Sequence, residues 1–349
     1  MSRSFSIAGR AIGADQPPFI IAEMSANHNG DLNRAMALLE AAAAAGADAV
    51  KLQTLKPDAI TIDYDGPGFV ITDGPWAGYS LFKLYQEAQT PWEWHDPLFK
   101  RGKELGLIVF SSPFDKQAVD FLDGLGAPAF KIASFEMADT DLVAHAAKKG
   151  KPMIVSTGLS SLGDMALTVD CIHKTGNRDV ALLHCISSYP APSEDANLAT
   201  IPHLAQAFDT LVGLSDHTQG TAVSVAAIAL GACIIEKHFT LARADGGLDS
   251  AFSLEPHELS ALVADCRAAW TARGHVSYAL EECEKGNLAF RRSLYVVEDM
   301  QPGDVITEDL VRSIRPGFGL EPRFLPQVLG KTARRAVARG TPFDWSMVD

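Results

Sequence analysis

The sequence has few cysteines and no long hydrophobic run, and each shortage excludes a class of protein. Its five cysteines are odd in number and widely spaced, so neither a disulfide framework nor a zinc ribbon is expected. No apolar stretch approaches the roughly 18 to 20 residues that span a bilayer, and Met1 to Arg10 has no stretch like that of a signal peptide. We therefore expect a cytoplasmic protein without a membrane partner.

Basic charge is also scarce. The chain has 30 Lys and Arg against 43 Asp and Glu, a formal net charge of -13, and no basic run that would grip a nucleic acid backbone. Nucleic acid is therefore not expected as a partner. An acidic protein repels anionic ligands at long range, so a site for such a ligand needs positive charge concentrated locally. Lysines in strand-like segments are the candidates.

Eight short apolar runs alternate with longer amphipathic segments along the first three quarters of the 349 residues. The runs are Phe19 to Met24, Ala49 to Gln53, Leu107 to Ser111, Ala129 to Ile132, Met153 to Thr157, Val180 to His184, Leu211 to Ser215 and Cys233 to His238. Between them, Asn33 to Ala45 and Thr221 to Leu230 have helical patterns that stop at glycines. This alternation predicts an α/β fold, a (β/α)8 TIM barrel.

The pattern changes after about Gly286. Strand-like pieces at Leu294 to Val297, Val311 to Ile314 and Arg335 to Ala338 alternate with glycine and proline turns. We predict a barrel domain at residues 1–283, a linker at 284–289 and a small β-rich domain at 290–349. Within the barrel, one connection, Leu55 to about Pro91, is unusually long, contains a predicted helix at Leu81 to Ala88, and is expected over the barrel mouth.

In such a barrel the functional groups lie at the C-terminal ends of the strands. Strand-end lysines can form a positive pocket for a ligand with a phosphate and a carboxylate, with serine hydroxyls donating hydrogen bonds, although a single buried lysine is equally well explained by a structural ion pair. Lys237 is excluded because it should point away from its neighbour His238. The polar residues at or just beyond the predicted strand ends are Glu23, Lys51, Gln53, Ser111, Ser112, Lys131, Ser134, Glu136, Thr157, His184, Ser187, Tyr189, Ser215, His217 and His238.

His217 and His238 end neighbouring strands, and two imidazoles with oxygen ligands suit a first-row divalent ion. The alternative is a pair of hydrogen-bonded core histidines. Glu23 precedes the polar turn Ser25 to Gly30, which reads as a helix-capping turn with Asn29 or Asp31 as the cap. Such a turn gives no reason for a carboxylate at the end of the first strand, so Glu23 is a candidate general base or electrostatic group.

Several separated motifs resemble the sialic acid synthase family. They are Glu23 to Gly30 (EMSANHNG), Lys51 to Thr54 (KLQT), Lys131 to Ser134 (KIAS), Gly213 to His217 (GLSDH) and Glu236 to Phe239 (EKHF). The C-terminal segments Phe290 to Leu294, Met300 to Asp304 and Arg315 to Gly317 resemble the antifreeze-like (SAF) domain of those enzymes. Within the family, Met24-Ser25, Ser188 to Pro192 and Gly246 to Ser253 look most like the pseudaminic acid branch. Because the motifs recur in order over nearly the whole chain, the match is far more specific than one short pattern.

The resemblance implies a condensation of phosphoenolpyruvate with a 2,4-diacetamido-2,4,6-trideoxy-altrose and water, giving a nine-carbon acid and phosphate. It implies that His217 and His238 bind a divalent metal (Mn²⁺, Mg²⁺ or Co²⁺) and that Glu23 acts as acid/base or electrostatic group. The implied phosphoenolpyruvate contacts are Lys51, Ser112, Lys131, Ser134, Ser187 and Ser215. The implied sugar contacts are Gln53, Glu136, Tyr189, Asp249, Phe290 and Arg315. Arg315 would come from the other subunit of a homodimer with swapped C-terminal domains.

Three alternatives stay open at this point. The same machinery serves synthases of N-acetylneuraminic or legionaminic acid, which differ in the sugar. A metal-dependent aldolase on the same barrel would have no use for the second domain. A non-catalytic carbohydrate-binding protein would keep the barrel as a scaffold only.

Overall fold

The computed structural model describes residues 3–349, and the chain forms two compact units, Met1–Gly274 and His275–Asp349. The units divide upstream of the linker predicted at 284–289, which lies in a 3-10 helix at Glu282–Phe290. Across the described residues, no helix is both long enough and apolar enough to cross a membrane.

The strands confirm the predicted barrel. All eight predicted runs form parallel strands of one closed barrel, in which β3 pairs with both β4 and β10. In chain order the strands are β1 (Ser4–Ile7), β2 (Arg10–Gly13), β3 (Phe19–Glu23), β4 (Ala49–Thr54), β5 (Ile108–Pro113), β6 (Phe130–Ile132), β7 (Met153–Ser156), β8 (Val180–Cys185), β9 (Leu211–Asp216), β10 (Ile234–His238), β11 (Ser293–Val296) and β12 (Val311–Ile314).

Helices follow the barrel strands and cover the outside of the sheet. The first helix begins where Asp31 caps it, its side chain accepting from the backbone N–H of Asn33, and ends at Gly46, whose φ of 85° is cheap for glycine. The α-helices are α1 (Leu32–Ala45), α2 (Pro57–Ile60), α3 (Leu81–Ala88), α4 (His95–Glu104), α5 (Lys116–Gly124), α6 (Thr140–Ala147), α7 (Leu162–Lys174), α8 (Thr200–Phe208), α9 (Ala222–Ala229), α10 (Pro256–Arg273) and α11 (Leu325–Val328). Short 3-10 helices occupy Trp92–Trp94, Ser193–Asp195, Arg243–Asp245, Ser250–Phe252, Glu282–Phe290, Pro322–Phe324 and Trp345–Met347.

Alternate residues along each barrel strand point to opposite sides of the sheet. On β10, Ile235 packs in the apolar layer between the sheet and the helices, whereas Ile234 packs in the barrel interior. Glu236 and His238 share the inward side with Ile234 and line a cavity at the C-terminal end of the barrel. This period of two decides which strand-end side chains reach the cavity.

An N-terminal hairpin that the sequence did not predict closes the opposite end of the barrel. Its strands β1 and β2 pair antiparallel, and Phe5, Ile7 and Ile12 pack in one cluster with interior residues near the starts of the barrel strands, such as Phe19 and Ala49. The cluster excludes water from that end, and the C-terminal end is left as the open mouth.

The small unit contains the antiparallel pair β11 and β12 around its own apolar core. That core includes Leu294, Val296, Val311 and Phe343. The predicted strand at Arg335 to Ala338 is wrong, because only Val337 there forms an isolated bridge, to Met300. The chain turns too often between Lys331 and Gly340 for a continuous ladder to form.

Candidate active site

A cavity of about 350 Å³ opens at the C-terminal mouth of the barrel. Eleven of the fifteen site residues that the family resemblance implies line this cavity. They are Glu23, Lys51, Gln53, Lys131, Ser134, Glu136, Tyr189, Ser215, His217, His238 and Asp249. Lys237 does not line it, as expected, because it points outward to Asp216.

Lys51 lies between two buried carboxylates at the base of the cavity. Its Nζ is 3.1 Å from Glu23 Oε2 and 3.3 Å from Glu236 Oε1. Burial alone would lower the pKa of Lys51, but the two carboxylates outweigh burial and raise it. Lys51 is therefore a fixed positive charge, although each side chain of the cluster is almost fully buried.

The two carboxylates differ in charge state. Burial, together with the negative charge of Glu236, raises the pKa of Glu23 to about 7, against the opposing effect of Lys51. Burial also favours the protonated form of Glu236, but Lys131 and Lys51 outweigh it and hold the pKa of Glu236 below its ordinary value. Two neighbouring carboxyl groups whose pKa values are pushed apart are suited to different roles, Glu23 to proton transfer and Glu236 to charge balance.

Lys131 provides the second positive charge. Its Nζ donates to Ser156 Oγ at 2.7 Å and lies 3.5 Å from Glu236 Oε1. Burial lowers the pKa of Lys131, against the attraction of Glu236. Glu236 thus joins both lysines, and its Oε1 also accepts from Ser215 Oγ at 3.2 Å.

Hydroxyl groups surround the lysines. Ser134 Oγ accepts from the backbone N–H of Gly158 at 3.1 Å, and a Cβ at position 158 would collide with Ser187 Oγ. That Cβ would also lie 2.8 Å from Ser134 Oγ, so glycine leaves the space that both hydroxyl groups occupy. Ser112 accepts from Lys51 Nζ at 3.3 Å but does not itself line the cavity.

The two histidines face each other across the mouth, with ring centroids 5.5 Å apart. His217 Nδ1 donates to the carbonyl of Ile186 at 2.9 Å, so Nε2 is the nitrogen that can bind a ligand once the ring is neutral. His238 Nδ1 is buried without a hydrogen-bond partner, and it lies 4.0 Å from Asp249 Oδ2. Burial, with the nearby charges of His217 and Lys51, holds the pKa of His238 well below its ordinary value, so this ring is neutral.

Cys185 contacts the same histidine. Its Sγ lies 3.8 Å from His217 Nδ1. Burial raises the pKa of the Cys185 thiol, but the hydrogen bond and charge of His217 outweigh it and lower the pKa to about 7. Within residues 3–349, no group of three or more His, Cys, Asp and Glu side chains is arranged to hold a metal ion, so any ion at the histidine pair would take further ligands from water or substrate.

Asp249, Gln53 and Ser25 form a polar network on the sugar side predicted from the sequence. Gln53 Nε2 donates to Glu23 Oε1 at 3.0 Å and to Ser25 Oγ at 2.9 Å, and Ser25 Oγ donates to Asp249 Oδ2 at 2.5 Å. Burial raises the pKa of Asp249 against the hydrogen bond from Ser25. Glu136 lies farther along the cavity wall, and burial raises its pKa to about 7.

The long connection lies over the mouth, as the sequence predicts. Ile71, Trp76 and Tyr85 of this segment line the cavity. Trp76 Nε1 donates to the carbonyl of Leu248 at 2.9 Å, and the Trp76 ring lies 5.5 Å from that of Tyr189. The segment therefore forms an aromatic wall on the sugar side.

Two predicted sugar contacts, Phe290 and Arg315, belong to the second unit. Both are exposed there, Phe290 to 64%. Among the other strand-end residues, Ser111, Thr157 and His184 face away from the cavity. Thr157 Oγ1 donates to Leu183 O, and His184 Nε2 to Ala196 O. These three are structural.

Sequence reasoning missed Glu236, Ser156, Ser25, Cys185 and Trp76. Glu236 stands two residues before His238 and Ser156 two after Ile154, so the period of two that puts His238 and Ile154 inside the barrel also puts them there. The last residue of a strand does not by itself reveal this alternation, so residues two positions earlier were overlooked. Trp76 carries no such signal, because it lies in an irregular segment.

Comparison with known proteins identifies the family. The NeuB family model matches residues 38–278, and the SAF domain model matches residues 291–349. The chain belongs to the NeuB family. This confirms the resemblance to sialic acid synthases and the antifreeze-like domain at the C-terminal end.

Individual relatives agree with that assignment. A pseudaminic acid synthase of Campylobacter jejuni serotype O:2 is 43% identical over 326 residues, covering 93% of this chain and 95% of that protein. A pseudaminic acid synthase of Helicobacter pylori is 40% identical over 329 residues, covering 94% of this chain and 96% of that protein. The crystal structure of an N-acetylneuraminic acid synthetase from Leptospira borgpetersenii in complex with citrate is similar with a TM-score of 0.74 at 31% identity, covering 82% of this chain and 96% of that chain.

Proposed function

We propose that this NeuB-family protein is a pseudaminic acid synthase, which condenses phosphoenolpyruvate with 2,4-diacetamido-2,4,6-trideoxy-β-L-altropyranose and water to give pseudaminic acid and phosphate. The observation that carries the proposal is one cavity in which two buried lysines, Lys51 and Lys131, face the histidine pair. The relatives named pseudaminic acid synthases, at 40% and 43% identity, support the choice of sugar.

Phosphoenolpyruvate carries a phosphate and a carboxylate, and the base of the cavity has matching groups. Lys51 and Lys131 supply two positive charges, and Ser134, Ser156 and Ser215 line the cavity with hydroxyl groups. Ser112 and Ser187 lie behind this lining, where Ser112 contacts Lys51 Nζ and Ser187 lies next to Gly158. In a protein with a net charge of -13, this is the local positive region that an anionic substrate requires.

The histidine pair fits a divalent metal. The buried Nδ1 of His238 has no partner within the chain, and both rings offer nitrogen ligands of the kind that Mn²⁺ or Co²⁺ accepts, with Mg²⁺ as the harder alternative. An ion held by His217 and His238 would supply polarisation of the sugar's aldehyde oxygen. Asp249 Oδ2 lies 4.0 Å from His238 Nδ1, which is too far for a hydrogen bond that would orient the ring.

Glu23 is suited to move the protons of the reaction. As C3 of phosphoenolpyruvate bonds to the aldehyde carbon, the aldehyde oxygen needs a proton, and a carboxyl group with a pKa of about 7 can donate one. Positive charge develops at C2, where the Glu23 carboxylate stabilises it and then accepts a proton from the water that adds there. The intermediate expels phosphate by cleaving the C2–O bond, and its hydroxyl proton leaves with the phosphate. Glu23 is therefore protonated again at the end of the reaction.

The sugar side favours a 6-deoxy sugar over N-acetylmannosamine. The altrose substrate ends in a methyl group where N-acetylmannosamine has a hydroxyl, so its pocket should have an apolar wall there. Trp76, Tyr189 and Phe252 form such a wall, with Trp76 and Phe252 rings 6.3 Å apart. Synthesis of legionaminic or N-acetylneuraminic acid is the alternative, since the same lysines and histidines would serve it.

Phosphate release from phosphoenolpyruvate with Mn²⁺ tests the proposal. The trideoxy-altrose, the legionaminic acid precursor and N-acetylmannosamine are compared side by side. We expect release with the altrose sugar at a kcat/KM at least about tenfold above the others. Preference for another sugar would reassign the substrate within the family, and release with none would favour a carbohydrate-binding role.

We further propose a homodimer in which the SAF domain of each copy completes the barrel of the other. The exposed Phe290 and Arg315 of the small unit, and the exposed Phe135 and Leu159 at the rim of the barrel, support it. Mixing the inactive variants Glu23→Gln and Arg315→Ala tests it. Swapped mixed dimers contain one intact site, so about a quarter of wild-type activity should return, and a mixture that stays inactive would exclude the exchange.

A further inference from the structure

Ser25 has an unusual backbone conformation in the middle of the candidate site. Its φ is 46°, in the left-handed region, where side chains other than glycine are strained. Its neighbour Asn27 holds the turn, because Asn27 Nδ2 donates to Phe239 O at 2.9 Å and to Ser253 Oγ at 2.8 Å. Glycine would adopt this conformation at lower cost. A serine here therefore needs a reason that lies in its side chain.

The side chain supplies that reason. Ser25 is buried, with 3% of its surface exposed. Its hydroxyl accepts from Gln53 Nε2 at 2.9 Å and donates to Asp249 Oδ2 at 2.5 Å. A hydroxyl is the smallest group that can accept from an amide and donate to a carboxylate at once. Alanine or glycine at this position would leave both buried partners without their shared contact.

The network continues to both ends of the cavity. Gln53 Nε2 also donates to Glu23 Oε1 at 3.0 Å, and Asp249 Oδ2 lies 4.0 Å from His238 Nδ1. Ser25 thus joins the Gln53 amide directly to the Asp249 carboxylate. Both of these side chains line the cavity, and the Ser25 hydroxyl orients them together with the Glu23 contact of Gln53 and the Ala26 backbone contact of Asp249.

We propose that Ser25 is a positioning residue for sugar recognition, whose hydroxyl fixes the rotamers of Gln53 and Asp249 and so sets the affinity for the amino sugar but not for phosphoenolpyruvate. The inference rests on the proposed function, because it assigns the two side chains to the sugar. Lys51 and Lys131 donate instead to Ser112 and Ser156 at the base of the cavity, which is why the two substrates should respond differently.

The test compares Ser25→Ala with Ser25→Gly. Both variants remove the hydroxyl, but only Ser25→Gly relieves the strain at φ 46°. We expect both to raise KM for the sugar by about tenfold or more, with KM for phosphoenolpyruvate within about twofold of wild type. Ser25→Gly should melt at or above the temperature of Ser25→Ala. Ala8→Gly, which relieves a similar φ of 49° in the exposed turn of the N-terminal hairpin, is the control and should leave both KM values unchanged.

Each outcome decides. A raised KM for the sugar in Ser25→Ala but not in Ser25→Gly would mean that the backbone conformation matters and the hydroxyl does not, which overturns the inference. Wild-type KM values in both variants, or equal rises for both substrates, would also overturn it. If the wild type releases phosphate with none of the three sugars, the proposed function fails. Crystal structures of wild type and Ser25→Ala then decide the inference instead. Rotated Gln53 and Asp249 side chains in the variant support positioning, and unchanged ones refute it.

Discussion

Lys237 and Asp216 form a buried ion pair, with Lys237 Nζ 2.8 Å from Asp216 Oδ2, on the outer side of the barrel. Each stands directly before one of the paired histidines, His238 and His217. Lys237 Nζ also donates to Thr218 O at 2.6 Å, and Ser224 Oγ of α9 donates to the same Asp216 oxygen at 2.5 Å. The pair therefore ties together the ends of β9 and β10 and, with them, the backbone that presents both imidazoles.

Breaking this pair should destabilise the barrel. Lys237→Met leaves the Asp216 carboxylate buried without its counter-charge, which costs about 3–5 kcal/mol of unfolding free energy. Urea unfolding at pH 7 measures it. Lys174→Met, which breaks the exposed Lys174–Asp170 pair, is the matched control and should have no measurable effect. Equal stability of the two variants would show that the buried pair does not hold the strand ends.

Glu136 should make stability depend on pH. Its folded pKa is raised by burial from 4.5 to about 7, so the folded state binds the proton more tightly than the unfolded state does. Its contribution to stability is therefore complete below pH 4.5 and is lost as the pH rises through 7, with a slope of at most about 1.4 kcal/mol per pH unit.

Glu136→Gln removes this titration. The variant should lose that part of the slope and be more stable than wild type at pH 8, as measured by melting temperature across pH 4 to 8. The exposed Glu104 lies outside the cavity, and Glu104→Gln is the control that should keep the wild-type slope. An unchanged slope in Glu136→Gln would contradict the burial argument.

Glu236 should set the working pH of Glu23. Its negative charge is one cause of the raised pKa of Glu23, so Glu236→Gln should move the Glu23 pKa below about 7. The pH profile of kcat/KM should then shift toward lower pH in Glu236→Gln. Glu23→Gln, by contrast, should lose turnover while keeping the fold. A profile unchanged in Glu236→Gln would mean that another group titrates.

Metal removal should stop turnover without unfolding the chain. With the ion at the proposed histidine pair, chelation should lower the rate of phosphate release at least about 100-fold while the chain still melts in a cooperative transition. His217→Ala and His238→Ala should each abolish tight Mn²⁺ binding, measured by the loss of free Mn²⁺ signal in electron paramagnetic resonance. Binding at wild-type affinity in either variant would place the ion elsewhere.

How far the sequence predicted the structure depended on the strength of the local pattern. The eight barrel strands are short apolar runs bounded by polar turns, and all were identified from that pattern. The hairpin of β1 and β2 was not, because only Phe5, Ile7, Ile12 and Gly13 of its eight strand residues are buried and no long apolar run marks it. Arg335 to Ala338 reads as a strand locally, but the surrounding turns prevent pairing.

The candidate site was predicted to the extent that strand ends reveal it. Lys51, Lys131, His217 and His238 were found because each lies within a predicted barrel strand or directly after its end. Glu236 required the period of two as well as the strand end. Ser25 could not be found that way, because its importance depends on a left-handed backbone and on contacts 28 and 224 residues distant in sequence.

The hairpin that closes the far end of the barrel also bears on the order in which substrates bind and products leave. Because Phe5, Ile7 and Ile12 close that end, reactants and products pass through the same open mouth. Lys131 and Ser156 lie within the strands, whereas Tyr189 and Asp249 lie beyond the strand ends, nearer the open mouth. With the proposed substrate contacts, phosphoenolpyruvate therefore has to bind before the sugar, and the phosphate can leave only after the nine-carbon acid.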